Sequence, residues 1–258
     1  MKALLVVLLI ALLQVMPALS FADGHGAALE SVDIDVSDKA ALQDGARTFI
    51  NYCMGCHSAR FQRYERVADD LGIPHELMRE KLVFTGAKIG DHMTIGMQPA
   101  DAKAWFGAAP PDLTLVARVR GTDWLYGYLR SFYEDPTRPW GVNNTVFPNV
   151  AMPNVLEGLQ GRQRIGCKEG QRVEGGGKHT DTPPANEACN QLIIVPNTGT
   201  LTEAQFNERV KNLVTFLAYS ANPDKLQHQR IGTYVLLYLV VLFILAYLLK
   251  REFWKDIH

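Results

Sequence analysis

Two cysteines and a histidine are spaced for the covalent attachment of a haem. Residues Cys53–His57 follow the pattern C-x-x-C-H, which is the attachment signature of c-type haem. At this spacing each thiol can add to one vinyl group of the same haem, and the next residue is held where an imidazole can bind the iron. The sequence therefore predicts one haem c bound through Cys53 and Cys56, with His57 as an axial ligand.

Other uses of a C-x-x-C pair fit this chain less well. A zinc site would need two more ligands at similar spacing, and the remaining cysteines, Cys167 and Cys189, lie far along the chain. A thioredoxin-like redox site would need a strand–helix–strand pattern around the pair, which the sequence does not show.

The second axial ligand decides the class of haem protein. A methionine or histidine there gives a closed electron carrier, whereas an open position gives an oxidase, a peroxidase or a gas sensor. Met152 is favoured because it lies in the segment Pro148–Pro153, where two prolines keep the chain extended. Met97 is the main competitor, and the other candidates after the motif are His75, Met78, His92, Met93 and His179.

Both ends of the chain are apolar and differ from its middle. Residues 1–22 begin with Lys2, continue with the apolar run Ala3–Leu13 and end in small residues, as a secretory signal peptide does. A retained N-terminal anchor is the alternative. Residues 23–230 then form one haem domain, and the lack of an arginine-rich transit peptide favours a bacterial protein.

The second apolar run is Ile231–Leu249, which carries no charge. As a helix it would extend about 28 Å, close to the thickness of a bilayer core. Because c-type haem is attached outside the bacterial cytoplasm, we expect the domain in the periplasm, one span through the inner membrane, and a cytoplasmic tail at 250–258. A buried core helix is the alternative interpretation.

The region between these runs has the pattern of a mainly α domain with long loops. One helix is expected from about Lys39 to Tyr52, and another is expected to start with Thr122 as its N-cap and to stop at Pro136. Thr202 and Gln205 form a capping box for a third helix. A helix before the motif and an amphipathic helix at the end of the domain match the architecture of cytochromes c. The formal net charge of −1 gives no indication of nucleic-acid binding.

Cys167 and Cys189 flank a segment rich in glycine and polar residues. In an oxidising compartment two such cysteines are expected to form a disulfide. Two free thiols are the alternative.

Several features, taken in order, resemble the cytochrome c1 family, the haem subunit of the cytochrome bc1 complex. They are the signal peptide, the C-x-x-C-H motif, the segments Pro110–Leu113 and Asp123–Tyr126, the pair Met152–Pro153, and a single C-terminal anchor. The similarity covers nearly the whole chain. One departure is Ala151, where other members often carry glycine before the methionine.

The resemblance implies a role for each matching residue. Cys53 and Cys56 would carry the thioethers, and His57 and Met152 would be the axial ligands. Arg120 would lie near a haem propionate, since a guanidinium matches a carboxylate and stays charged. Pro111, with its neighbour Pro110, would form a rigid wall beside the haem. The pair Cys167 and Cys189 resembles the disulfide-closed insertion of some bacterial members.

The resemblance also implies a function and partners. The chain would accept an electron from a Rieske iron–sulfur protein and pass it to a soluble or anchored cytochrome c, in a complex with cytochrome b. It would be an electron-carrier subunit and no enzyme alone, because quinol oxidation belongs to the whole complex. The main alternative is a stand-alone, membrane-anchored cytochrome c that serves a terminal oxidase.

Overall fold

The computed structural model describes residues 29–166 and 191–255. The predicted signal peptide, both cysteines of the predicted disulfide, and His179 lie outside these residues. The helices in the described part are α1 (Lys39–Thr48), α2 (Tyr64–Leu71), α3 (His75–Leu82), α4 (Pro99–Phe106), α5 (Val116–Arg120), α6 (Thr122–Arg130), α7 (Glu157–Gln160), α8 (Glu203–Ala221) and α9 (Lys225–Phe253).

Strands play a small part in the described residues. They form three antiparallel pairs: β1 (Ala59–Arg63) with β2 (His92–Met93), β3 (Phe132–Glu134) with β4 (Val142–Asn144), and β5 (Gln163–Gly166) with β6 (Gln191–Ile194). The mainly α fold predicted from the sequence is confirmed.

Helix α1 delivers the chain to the C-x-x-C-H motif, as predicted. The Asp38 carboxylate caps its N-terminus by accepting hydrogen bonds from the amides of Ala40 (2.9 Å) and Ala41 (3.1 Å). After Thr48 the helix widens into one π-helical turn, Phe49–Cys53. Such a turn inserts an extra residue into the helix, a change often found at functional sites.

The main core forms where α1 packs against α8. Gly45 of α1 meets the backbone of Asn212 in α8, and the rings of Phe49 and Phe216 pack beside this contact with centroids 5.6 Å apart. The capping box predicted at the start of α8 is confirmed, because Thr202 and Gln205 bond each other's backbone amides. These two helices form the frame on which the rest of the domain packs.

Two details of α6 differ from the prediction. The helix begins at Thr122, but its N-cap is Gly121 at φ 87°, and no side chain caps it. It also ends at Arg130, before Pro136, because Phe132 turns inward to a small core with Val142 and Val150. The pairing of β3 with β4 therefore ends the helix, and the proline does not.

Helix α9 is long and apolar enough to cross a membrane, and it contains the predicted span Ile231–Leu249. It buries none of its side chains against the rest of the described chain. Asp224, the residue before this helix, accepts a hydrogen bond from Arg66 of α2 (2.7 Å), and Arg66 also pairs with Asp70. The Tyr219 hydroxyl also donates to Asp70, at 2.6 Å.

A chain that ends at Gln229 is therefore expected to be water-soluble and to unfold at the temperature of the intact protein. This truncation removes most of the exposed apolar surface of α9 and keeps the ion pair at Asp224. Size-exclusion chromatography without detergent and thermal unfolding would measure both properties.

A chain that ends at Ala218 is the control. It loses Tyr219, Asp224 and the Ser220 carbonyl that accepts from Gln62, and should unfold at a lower temperature. An insoluble product ending at Gln229 would contradict the separation of domain and anchor.

Candidate functional site

A cavity of about 370 Å³ lies beside the crossing of α1 and α8. Its lining is largely apolar, with leucines and valines from α5, α6 and α8. It also includes all six residues for which the sequence predicted contact with a cofactor: Cys53, Cys56, His57, Pro111, Arg120 and Met152. The fold thus brings together residues that are far apart in the chain.

The π-helical turn and the turn that follows it place the two cysteines on the cavity wall. The amides of Cys56 and His57 both donate to the Cys53 carbonyl, at 3.0 and 2.9 Å. Cys53 is buried and Cys56 half-buried. Burial, with a smaller contribution from Cys56, raises the pKa of the Cys53 thiol to about 12. The Cys53 side of the cavity is therefore uncharged at neutral pH.

His57 is oriented by the proline segment. Its Nδ1 lies 2.7 Å from the Pro111 carbonyl oxygen, and because a carbonyl can only accept, Nδ1 must carry the proton. The lone pair of Nε2 is then available to a metal. Burial lowers the pKa of His57, against the opposing effects of the Pro111 hydrogen bond and the Asp112 charge. The ring is therefore neutral at pH 7, which is the form that binds metals.

The proline segment is itself fixed to the chain just after the motif. One oxygen of Asp112 accepts from the Arg60 amide (2.8 Å), and the other accepts from the Thr114 amide (3.0 Å). The Leu113 amide donates to the Ser58 carbonyl at 2.8 Å. Burial would raise the pKa of Asp112, but the hydrogen bonds from Thr114 and Arg60 outweigh it and lower the pKa. An ionised Asp112 thus holds the carbonyl that orients His57.

Met152 reaches the cavity from a loop held by the β3–β4 hairpin. The Asn149 amide donates to Asn143 Oδ1 at 2.8 Å, and Arg138 donates to the Asn149 carbonyl at 2.9 Å. Asn149 adopts φ 63°, a left-handed conformation that asparagine tolerates better than most residues. Val150 is buried against the hairpin. These contacts fix the backbone just before Met152.

Tyr128 of α6 contacts the methionine directly. Its hydroxyl donates to the Met152 sulfur at 3.3 Å, and burial raises the pKa of Tyr128 to about 12, so the hydroxyl stays protonated. Tyr128 falls within the helix predicted from Thr122, but the sequence did not predict this contact. It also did not predict the roles of Arg138 and Asn143. No local pattern marks them, since each contacts Asn149 across a loop, from 6 positions away for Asn143 and 11 for Arg138.

Arg120 lines the cavity where it is open to solvent. Its guanidinium lies over two aromatic rings, 4.9 Å from the centroid of Trp124 and 5.7 Å from that of Phe147. Such contacts hold a cation in place while leaving its N–H groups free to bind an anion. The position suits a carboxylate at the edge of the cavity.

The other candidates for the second axial ligand lie elsewhere in the described chain. Met78 and Met93 are fully buried in the core. His75 bonds Asp69 at 2.7 Å, and exposed His92 lies in β2. Met97, the main competitor, is half-buried, and it is absent from the cavity lining formed by residues 29–166 and 191–255.

The residues of the cavity fit a haem c. Two thiols and a neutral imidazole come from the motif, a thioether comes from a second segment, and a guanidinium lies at the open edge. Two cysteines for attachment and a His–Met pair for iron are the donor set of an electron-transfer cytochrome.

A family model and one relative of high identity point to the same family. A model described as the Cytochrome C1 family matches residues 30–163 and 198–257. The chain is 47% identical to the cytochrome c1 of Allochromatium vinosum, covering 94% of this chain and 95% of that protein. It is 38% identical to a Nitrosomonas europaea protein named ammonia monooxygenase gamma subunit, covering 100% and 98%. A chain from a solved structure, "Hyperthermophilic respiratory Complex III", aligns over 100% of both chains, with 18% identity and a TM-score of 0.43.

Proposed function

This chain belongs to the cytochrome c1 family, and on that premise we propose that it is the haem-carrying subunit of a quinol–cytochrome c oxidoreductase in a respiratory chain. Proteins of this family carry one covalently bound haem c. When bound, the haem supplies an iron that gains and loses one electron at a time. The chain's own residues would hold that group, exclude water from it and set its potential.

The cavity carries the proposal, because one largely apolar space receives the thiols, the imidazole and the thioether together. Cys53 and Cys56 would form the thioethers. His57 would bind iron through Nε2, since its Nδ1 proton is committed to Pro111. Met152 would be the other axial ligand, and a neutral thioether favours the reduced state. Arg120 would balance the charge of a propionate.

Electron transfer is the reaction that this arrangement supports. With a haem bound, His57 and Met152 would both hold the iron, so a substrate would find no free site on it. We propose that the chain accepts electrons from a Rieske iron–sulfur protein and passes them to a soluble or membrane-anchored cytochrome c. On its own it would catalyse no reaction, because quinol oxidation requires cytochrome b and the Rieske protein of the same complex.

The membrane arrangement is part of the proposal. Residues 1–22 would be a signal peptide, 23–230 the periplasmic haem domain, 231–249 the transmembrane segment and 250–258 a cytoplasmic tail in the bacterial inner membrane. The candidate membrane helix α9 supports anchoring. Because Asp224 just before α9 pairs with Arg66, helix α2 would lie next to the bilayer surface on the periplasmic side.

A disulfide between Cys167 and Cys189 is also proposed, though both residues lie outside the described part of the chain. Strands β5 and β6 support it, because their register pairs Gly166 with Gln191 and so brings the two borders of segment 167–190 together.

We expect mass spectrometry of the denatured, unreduced protein to find no free thiol among its cysteines, with Cys53 and Cys56 bound to haem. A Cys167→Ala, Cys189→Ala variant should be less stable by about 3 kcal/mol. Two alkylatable thiols at these positions in the wild type would contradict the bond.

Purification of the tagged full-length chain from native membranes tests the function. We expect cytochrome b and a Rieske protein to be recovered with it in equal amounts, and added quinol to reduce its haem through them. An untagged strain is the control. Recovery of the haem protein alone would favour the stand-alone shuttle, and recovery with monooxygenase subunits would favour the role in the name of the Nitrosomonas relative. Carbon monoxide binding to the reduced protein would contradict a closed His–Met site.

A further inference from the structure

The contact between Tyr128 and Met152 has a fixed direction. A thioether sulfur can accept a hydrogen bond but has no proton to donate, so the 3.3 Å contact must run from the Tyr128 hydroxyl to the sulfur. The sulfur has two lone pairs. A metal uses one of them, and the other can accept from the tyrosine while the metal is bound.

The surroundings of Tyr128 hold its ring in position. Trp124 stacks on it with centroids 4.8 Å apart, and Phe132 packs edge-on at 5.2 Å. The Asn144 side chain donates to the Tyr128 carbonyl at 2.8 Å. The same asparagine belongs to the hairpin that holds the Met152 loop. The donor and the acceptor are therefore attached to one rigid unit.

We propose that Tyr128 is a positioning residue that tunes the haem, because its hydrogen bond withdraws electron density from the Met152 sulfur. This inference rests on the proposed role of Met152 as an axial ligand. A thioether that gives up electron density to a hydrogen bond is a weaker donor to iron. This lowers the stability of the electron-poor ferric state more than that of the ferrous state. The hydrogen bond thus raises the midpoint potential and makes the ferric iron–sulfur bond easier to displace.

A purely structural role predicts a different result. If Tyr128 only filled space beside the loop, its hydroxyl would not affect the iron. If it only held Met152 in place, then loss of the hydroxyl would loosen the sulfur, and an added ligand would displace it more easily. Tuning predicts that loss of the hydroxyl makes the sulfur harder to displace. The affinity for an added ligand that replaces the sulfur therefore distinguishes the two roles.

The test compares three variants of the full-length holoprotein in detergent. Tyr128→Phe removes only the hydroxyl. Tyr126→Phe makes the same change two residues away on α6, where the ring lies under Arg130 at 4.3 Å. Tyr126 is absent from the cavity lining that the described residues form. Met152→Leu reports separately on the ligand itself. The readouts are the midpoint potential, the methionine–ferric iron absorption band, and the affinity of the ferric form for imidazole.

We expect Tyr128→Phe to keep the absorption band, to lower the midpoint potential, and to bind imidazole roughly fivefold more weakly than the wild type, in keeping with the worth of one neutral hydrogen bond. Tyr126→Phe should match the wild type in all three. An unchanged potential, or tighter imidazole binding, in Tyr128→Phe would overturn the inference while leaving Met152 as ligand. If Met152→Leu keeps the band, both the ligand assignment and the inference fall, whereas the subunit role is decided by the purification.

Discussion

Gly45→Ala is expected to destabilise the domain by about 3 kcal/mol or more, in the upper range for overpacked cores. A Cβ added at Gly45 would lie 2.1 Å from the Asn212 carbonyl oxygen and 2.7 Å from the Phe216 Cβ. Both atoms belong to α8, and backbone cannot move aside as a flexible side chain can. The helices would have to separate, and the packing of Phe49 on Phe216 would be lost. The better helix propensity of alanine, about 1 kcal/mol, offsets only part of this cost.

Thermal unfolding of the full-length protein in detergent measures the effect. A loss of 3 kcal/mol corresponds to a fall in Tm of roughly 6–12 °C for a domain of this size. Gly158→Ala is the matched control, because it is also a helical glycine but nothing in the described structure lies within 4 Å of a Cβ built there, so it should not lower stability. If Gly45→Ala melts with the wild type, the close contact of α1 with α8 is not as described.

Met152→Leu is expected to abolish the methionine–ferric iron absorption band and to lower the midpoint potential. Leucine keeps nearly the same volume, so the change should cost the fold less than about 1.5 kcal/mol. It removes the sulfur, which we propose is a neutral iron ligand that favours the ferrous state. Absorption spectra of the oxidised protein and a redox titration measure the two effects.

Met97→Leu provides the comparison for this experiment. Met97 also lies shortly before a proline, Pro99, but it is half-buried outside the described lining of the cavity, so we expect no change in band or potential. The reverse pattern, with the band lost in Met97→Leu and kept in Met152→Leu, would mean that the wrong methionine has been assigned.

Features encoded by neighbouring residues could be predicted from the sequence. The capping box at Thr202 and Gln205 is local, and so is the apolar run of α9. The C-x-x-C-H motif is local too, and its two cysteines and histidine line the cavity. The six residues expected to share a site do line one cavity, although the resemblance to a family, more than the pattern, had singled out Pro111 and Arg120.

Features that depend on tertiary contacts could not be predicted in this way. The end of α6 at Arg130 is decided by burial of Phe132 in the hairpin core, which no local signal reveals. The hydrogen bond from Tyr128 to Met152 joins two segments whose relation is set by that same hairpin. Both features are determined by tertiary packing around the hairpin and not by the local sequence.

The pairing of Gly166 with Gln191 has a consequence for how this chain can vary. Because β5 and β6 hold the two borders of segment 167–190 side by side, an insert of any length would leave and rejoin the domain at the same point. Gln163 of β5 also donates to the carbonyls of Arg130 and Phe132, both at 2.8 Å, which secures this strand pair to the hairpin that holds the Met152 loop. Doubling the length of such a loop costs only about 0.6 kcal/mol of closure entropy. We therefore expect that lengthening the chain between β5 and β6 would leave His57 and Met152 in place.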